Sequence, residues 1–140
     1  NCEYFSKISF CYMILNKVHH IAIICSDYQR AKTFYIEQLG LQPIHEVYRE
    51  ERASYKLDLA LNGAYIIELF SFPDPPPRTS RPEATGLRHL AFEVNDLENN
   101  IRQLAKKGIE AEPPRTDPIT NKKFTFIFDP DQLPIELYEK

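Results

Sequence analysis

The strongest constraint on the fold is an internal repeat that relates two halves of the 140-residue sequence. The stretch HHIAIICSDYQRAKTFYIEQLGL (residues 19–41) reads like RHLAFEVNDLENNIRQLAKKGI (residues 88–109). Further along each half, IIELF (residues 66–70) matches PIELY (residues 134–138). Because self-similarity at a fixed spacing is typical of a structural unit used twice, the sequence predicts two modules with the same order of elements.

Each half begins with an apolar strand and continues with an amphipathic helix. Ser26 and Gln29 are spaced as a helix-capping box, and Asn95 and Glu98 repeat this spacing in the second half. Three strand-like runs follow the first helix, which predicts the order β-α-β-β-β and an α+β fold. In the second half, a short run near residues 109–111 precedes two clearer strands.

Composition limits the class of protein. With 43% hydrophobic and 26% charged residues, the chain has enough apolar side chains for one domain core and is too short for a second domain. The net charge of −3 disfavours nucleic acid as a partner. No apolar run approaches the roughly 20 residues that cross a bilayer, which disfavours a membrane protein. Cys2, Cys11 and Cys25 form no even disulfide framework, so we expect the reducing cytoplasm.

We expect a single domain over residues 14–140. It contains one module at residues 16–71, a proline-rich linker at 72–86 and a second module at 87–139. Residues 1–13 do not continue the repeat pattern, so we expect an upstream extension or expression leader, with Met13 as the natural start. A signal peptide is the alternative for this segment, because ISFCYMIL is apolar, but it lacks a clear small-residue cleavage site.

Four residues of the repeat carry side chains that are unusual in a core-like strand. His20 aligns with His89, and Glu68 aligns with Glu136, each glutamate between apolar neighbours. Because successive strand residues point to opposite faces, His19 and His20 are not expected to face one surface, and the repeat selects His20. A buried carboxylate is costly unless it is paired, protonated or bound to a metal.

The sequence therefore predicts one divalent metal site with four ligands, namely His20, Glu68, His89 and Glu136. Two imidazoles and two carboxylates suit Zn, Ni, Co, Mn or Fe, with positions left for water or substrate. The set lacks the cysteines that are usual in structural zinc sites, which favours a catalytic role. Any one of these residues alone is more often structural, so the hypothesis depends on their repetition in both halves.

With the motifs HHIAI, YIIELF, GLRHLAFEVNDL and DPDQLPIELYE in place, the sequence resembles the vicinal oxygen chelate superfamily over about residues 16–139. That superfamily includes glyoxalase I, methylmalonyl-CoA epimerase, fosfomycin-resistance proteins, extradiol dioxygenases and bleomycin-resistance proteins. The resemblance implies two tandem βαβββ modules that form a curved mixed sheet of half-barrels around a metal cleft, often in a homodimer. Whether the site lies within one chain or between two chains stays open.

Ligand identity separates the branches of this superfamily. Extradiol dioxygenases place a histidine where Glu68 stands, fosfomycin-resistance proteins use three ligands, and bleomycin-binding members lack the metal set. The order His-Glu-His-Glu is similar to that of bacterial glyoxalase I and of the epimerases, both of which move a proton next to a metal-bound carbonyl. By this similarity Glu136 is the expected catalytic base, and Glu68 is the alternative.

The resemblance constrains the substrate less than the reaction. Bacterial glyoxalase I carries an arginine four residues after its first metal histidine, where this chain has Ile24, so the use of glutathione stays open. Residues near the proline-rich linker and the strand KFTFIFD are candidates for substrate binding, namely Arg78, Arg81, Lys122 and Phe124. Arg49, Arg52 and Arg88 are further candidates for holding a carboxylate or phosphate.

The sequence thus predicts a cytoplasmic, metal-dependent lyase or isomerase of the glyoxalase I type. Its expected substrate is a small α-oxo-thiohemiacetal or a similar α-hydroxycarbonyl compound. Two alternatives remain at this point. One is an epimerase that acts on an acyl thioester, and the other is a binding or resistance protein that holds a small molecule without turnover.

Overall fold

The computed structural model describes residues 14–140. The upstream extension that we expect at residues 1–13 lies outside the described residues. Among residues 14–140, no helix is both long enough and apolar enough to cross a membrane.

The first module contains, in chain order, β1 (Ile21–Cys25), α1 (Tyr28–Lys32), β2 (Gln42–Arg49), β3 (Ser54–Leu61) and β4 (Ala64–Ser71). A π-helical turn, Thr33–Gln38, continues α1, and a 3-10 turn, Glu50–Arg52, follows β2. The four strands form one mixed sheet in the order β1-β4-β3-β2, in which β1 runs parallel to β4. The predicted order of elements is confirmed in this half.

The second module contains β5 (Leu90–Val94), α2 (Leu97–Lys106), β6 (Arg115–Thr116), β7 (Lys123–Phe128) and β8 (Pro134–Glu139). Its sheet has the equivalent order β5-β8-β7-β6, and β5 again runs parallel to β8. The α+β fold of two tandem βαβββ modules, each with its own mixed four-stranded sheet, is therefore confirmed.

The parallel pairs of the two sheets have the same register. Ala22 of β1 lies opposite Glu68 of β4, and Ala91 of β5 lies opposite Glu136 of β8. Both glutamates consequently occupy equivalent positions. In each module, the histidine lies two residues before the alanine that is paired with the glutamate. The sequence repeat is thus also a repeat in three dimensions.

Each sheet buries one face and leaves the other accessible. Ile67 and Leu69 in β4 are fully buried, as is Ile135 in β8, and residues of both modules join in one hydrophobic cluster. Because strand side chains alternate, Glu68 and Glu136 lie on the opposite faces, which we call the open faces of the two sheets. Ile24, on the open face of the first sheet, has 54% of its surface exposed.

Both predicted helix caps are wrong by one residue. The carboxylate of Asp27 caps α1 by accepting a hydrogen bond from the Arg30 backbone nitrogen at 3.0 Å. Asp96 caps α2 in the same way at 2.9 Å. Ser26 has a different partner, because its backbone nitrogen and its hydroxyl both donate to Asp131.

The predicted strand near residues 109–111 is also wrong, because the short edge strand is β6, farther along the chain. Ile109 instead completes the end of α2, where its backbone nitrogen donates to the Leu104 carbonyl at 3.0 Å. This bond requires Gly108 in the left-handed region, with φ of 79°. An apolar residue that seals a helix end resembles the start of a strand in sequence.

A buried hydrogen bond joins the two modules. Tyr35, which is fully buried, donates through its hydroxyl to Asp129 Oδ2 at 2.8 Å. The other oxygen of Asp129 accepts from the backbone nitrogens of Asp131 and Leu133, so all three donors stabilise one buried carboxylate. Burial raises the pKa of Asp129, and these hydrogen bonds oppose that rise.

Replacing Tyr35 with phenylalanine is expected to lower the free energy of unfolding by about 1–2 kcal/mol, because it removes one donor from a buried carboxylate. Urea unfolding followed by circular dichroism measures this loss. Tyr28→Phe is the matched control, because Tyr28 donates to the exposed carboxylate of Glu46. Equal losses in the two variants would contradict a special role of the buried bond.

Candidate metal centre

The first half-site consists of His20 and Glu68. His20 Nε2 lies 3.2 Å from Glu68 Oε2, and the Glu68 side chain keeps only 15% of its surface exposed. Glu68 lies in the middle of β4 on the open face, and His20 immediately precedes β1, the parallel neighbour of β4. The structure therefore brings together two of the predicted ligands.

The second half-site consists of His89 and Glu136 and has the same geometry. His89 Nε2 lies 3.1 Å from Glu136 Oε2, and the Glu136 side chain is also 15% exposed. Each half-site thus presents one imidazole nitrogen and one carboxylate oxygen side by side. These are donors that divalent first-row metal ions accept.

The chain does not bring the two half-sites together. Within residues 14–140, no three histidine, cysteine, aspartate or glutamate side chains are grouped closely enough to hold a metal ion. The modules instead meet through their helix ends, where Lys107 Nζ donates to the backbone oxygens of Glu37 and Gln38 at 3.0 and 2.9 Å. One chain therefore carries two separate pairs of donors.

His19 lies next to His20, although strict alternation would place the two side chains on opposite faces. Their Nδ1 atoms are 2.8 Å apart, and their ring centroids are 5.1 Å apart. Both residues precede the first residue of β1, so their backbone need not alternate as a strand does. The Nδ1 contact, together with stacking of His20 on Tyr65, orients His20 Nε2 toward Glu68.

A polar network surrounds the first half-site. Lys56 Nζ lies 2.9 Å from Glu68 Oε1 and 2.6 Å from Asp58 Oδ1, and the Tyr65 hydroxyl donates to the same Asp58 oxygen at 3.0 Å. No sequence pattern predicts a role for Lys56. The alternation of β3 places Lys56 and Asp58 on one face, and only the pairing of Asp58 with Glu68 shows that this face is that of the glutamate.

These contacts shift the pKa values of the network. Partial burial alone would raise the pKa of Asp58, but the hydrogen bonds from Lys56 and Tyr65 outweigh it and lower that pKa. Burial would lower the pKa of Lys56, whereas its bonds to Asp58 and Glu68 raise it. Burial and the bond to Asp58 raise the pKa of Tyr65 to about 12. The network therefore keeps the Asp58 carboxylate and the Lys56 ammonium charged at neutral pH.

Aromatic rings surround the second half-site instead. Phe126 is the strand partner of Glu136, and its ring meets that of His89 edge to face with centroids 5.3 Å apart. Phe124 contacts Phe126 on one side and stacks on Tyr138 on the other. The two half-sites consequently have the same ligands but different strand neighbours, with Lys56 and Asp58 beside the first glutamate and phenylalanine rings beside the second.

The four predicted substrate-binding residues lie in different surroundings. Phe124 lies on the open face of the second sheet, and Arg81 lies 3.6 Å from Glu112 beside that face. Arg78 donates to the backbone oxygens of Leu87 and Arg88 at the end of the linker. Lys122 donates to the backbone oxygen of Lys140 at 2.5 Å. Phe124 and Arg81 therefore lie on or beside the open face of the second sheet, and Arg78 contacts the backbone of the residue that precedes His89.

Replacing Lys56 with methionine is expected to lower the free energy of unfolding by about 1 kcal/mol at pH 7 in the presence of a chelator, because two neighbouring carboxylates lose their shared cation. The lowered pKa of Asp58 means that its contribution is present above its unfolded pKa and is lost as the pH falls through the lower, folded pKa. The stability difference between the two proteins should therefore shrink as the pH falls below about 3.9, the pKa of an aspartate in an unfolded chain.

Chemical denaturation between pH 3 and pH 7 measures this difference. Lys123→Met is the matched control, because Lys123 pairs with Glu98 on an exposed surface and should affect stability far less. A stability difference between wild type and Lys56→Met that does not change with pH would contradict the electrostatic explanation.

Comparisons with known proteins agree with this architecture. Residues 17–137 match the family model of the Glyoxalase/Bleomycin resistance protein/Dioxygenase superfamily. The chain is 67% identical to the protein YwkD of Bacillus subtilis strain 168 over 128 residues, which are 91% of this chain and 100% of YwkD. It is 58% identical to the protein YaeR of Escherichia coli strain K12 over 126 residues, which are 90% of this chain and 98% of YaeR.

A solved structure shows the same similarity. The crystal structure of a glyoxalase family protein from Enterococcus faecalis matches with a TM-score of 0.84 and 49% sequence identity. The match covers 91% of this chain and 100% of that one. The family model covers far more than half of the chain, so the resemblance found in the sequence motifs is confirmed. The chain belongs to the Glyoxalase/Bleomycin resistance protein/Dioxygenase superfamily, also called the vicinal oxygen chelate superfamily.

Proposed function

We propose that the protein is a metal-dependent lyase or isomerase of the glyoxalase I type, which moves a proton next to a carbonyl of a small α-oxo-thiohemiacetal or similar substrate. The observation that carries this proposal is the pair of repeat-related half-sites. Each one places an imidazole nitrogen and a carboxylate oxygen 3.1–3.2 Å apart on an open sheet face.

The donor set fits one divalent ion of Zn, Ni, Co, Mn or Fe. Two nitrogens and two oxygens from His20, Glu68, His89 and Glu136 would neutralise the ion and leave positions for substrate oxygens. Further contacts of the two ligands in the first half-site support the fit, because Lys56 contacts Glu68 and His19 contacts His20. Such outer contacts orient metal ligands and raise affinity.

A homodimer would complete the site. Each half-site supplies two donors, and the two half-sites of one chain lie apart, so the first half-site of one chain would face the second half-site of its partner. A twofold axis then generates two equivalent sites, each with four ligands. In this arrangement, residues of two chains would hold each metal ion.

Glu136 is the residue that we assign to proton transfer. A bound divalent ion would supply the positive charge that acidifies the C–H bond next to a substrate carbonyl. Glu68 contacts His20 and Lys56 through its two oxygens, whereas within residues 14–140 the ion-pair distance of Glu136 is to His89 alone. Glu136 can therefore turn toward the substrate at lower cost and carry the proton between adjacent carbons.

Mixing two inactive variants tests the shared site. His20→Ala and His89→Ala should each bind far less metal, because each loses one ligand in every site. A mixed dimer has one site with both substitutions and one site with neither. Metal analysis after subunit exchange at equal amounts should therefore recover about a quarter of the wild-type metal content.

Mixing His20→Ala with Glu68→Ala is the matched control, because both substitutions lie in the first half-site and no mixed dimer has an intact site. Recovery in the first mixture alone supports a site shared between chains. Full metal binding by each single variant would contradict the metal site itself, and the non-catalytic binding protein would then be the better description.

Replacing Glu136 with glutamine should lower turnover of methylglyoxal–thiol adducts by about 10²–10⁴-fold, because an amide cannot accept and return a proton. The variant should retain most of its metal, because three charged or imidazole ligands remain. Steady-state kinetics together with elemental analysis measure both effects.

The corresponding variant Glu68→Gln is the comparison, and it should lose less turnover per bound metal than Glu136→Gln. The opposite order would assign proton transfer to Glu68. Turnover of acyl thioesters, with none of methylglyoxal adducts, would assign the same residues to an epimerase.

A further inference from the structure

A cavity of about 260 Å³ opens beside the second half-site, on the open face of the second sheet. Arg81, Arg88 and Arg115 line it from three separate segments of the chain, and Phe126 contributes to its floor. We call these three arginines and Phe126 the arginine subsite. None of the metal ligands belongs to it.

The charges around this cavity do not balance. Glu112 accepts a hydrogen bond from Arg115 at 3.2 Å and lies 3.6 Å from Arg81, so a single carboxylate forms ion pairs with two guanidinium groups. Arg88 lies 3.6 Å from Glu83, which is farther than a hydrogen bond. The three arginines and two glutamates that line the cavity thus leave one positive charge without a matching carboxylate.

Arg115 is held in a fixed orientation over the aromatic floor. Its guanidinium carbon lies 5.0 Å from the centroid of the Phe124 ring and 5.4 Å from that of Phe126. A planar guanidinium stacked on aromatic rings keeps its N–H groups available for a planar anion. Because it is already ordered, Arg115 loses less conformational freedom when an anion binds.

The arginine subsite is close enough to the second half-site for one small molecule to reach both. The ring of Phe126 lies against both the His89 ring and the Arg115 guanidinium. Arg88 Nη1 also lies 3.1 Å from His89 Nδ1. Arg88 therefore contacts His89, a candidate metal ligand, and the Phe126 ring links His89 to Arg115.

From these observations we infer that the arginine subsite binds an oxyanion of the substrate, a carboxylate or a phosphoryl group, at the end remote from the reacting carbonyl. This inference rests on the proposed function and names its substrate class. On the first sheet, Lys56 is already paired with both Asp58 and Glu68, and the single Arg49 stacks on Phe70 and Phe72 while donating to Ser54 Oγ at 2.9 Å. The anionic end of the substrate would lie beside the second module, because three arginines line one cavity there.

Hydroxamates that bind a metal through two oxygens provide the test. The metal-loaded protein is titrated with the monohydroxamate of succinic acid and with its uncharged terminal amide, and calorimetry gives both dissociation constants. The acid should bind about tenfold more tightly than the amide, since a charge-assisted hydrogen bond favours the carboxylate. A phosphonate analogue of similar length then shows which oxyanion binds more tightly.

The Arg115→Gln variant should reduce the ratio of the two dissociation constants to near one, and Arg81→Gln should reduce it in part. Arg102→Gln is the matched control, because Arg102 lies on α2, which packs on the buried face of the sheet, and that ratio should stay at its wild-type value. Equal binding of the acid and the amide to the wild-type protein would overturn the arginine subsite and leave the metal site standing.

A second titration does not depend on the metal. Inorganic phosphate should shift the NMR signals of the Nε–Hε groups of Arg81, Arg88 and Arg115 more than that of Arg102. If both hydroxamates fail to bind, the metal site is wrong and the phosphate titration alone decides on the subsite. Shifts of similar size at all four arginines would overturn it.

Discussion

Parallel pairing of β1 with β4, and of β5 with β8 in the identical register, is the interaction on which both half-sites depend. It sets Ala22 opposite Glu68 and Ala91 opposite Glu136, which brings the preceding histidine of each repeat to its glutamate. A shift by one residue would turn each glutamate toward the buried face, where Ile67 and Ile135 are fully enclosed. Burial of the apolar side chains on one face of each sheet thus fixes the strand register that positions the glutamate on the other face.

The surroundings of the two half-sites differ, although their ligands do not. On the first sheet, Lys56 and Asp58 form a compensated charge network with Glu68. On the second sheet, aromatic rings take the corresponding positions, and Arg115 stacks on them. Duplication explains why the ligands match, while the differing neighbours make the open faces chemically unequal. A cleft closed by both faces would then hold an asymmetric substrate in one orientation, with proton transfer at the less constrained glutamate.

The repeat predicts the fold and the histidine–glutamate pairs because both follow from local order and strand alternation. The repeat does not predict contacts between segments that are distant in the sequence. The sequence predicts Ser26 as a helix cap, but Ser26 donates to Asp131, and the neighbouring Asp27 caps α1. Lys56 and Arg115 were missed for the same reason. Each is an ordinary exposed-face residue in its own strand, and only pairing with the neighbouring strand shows that it lies beside a glutamate or an aromatic floor.

The internal repeat is enough to predict the two modules, their element order and the four metal-ligand candidates. These depend on spacings within each repeat, which the one-dimensional pattern contains in full. The tertiary structure alone decided that each histidine meets the glutamate of its own module and that the two pairs stay apart. The modules pack through their helix ends and through the buried bond from Tyr35 to Asp129. That packing leaves both open faces uncovered by the helices, and no local pattern specifies how two such modules meet.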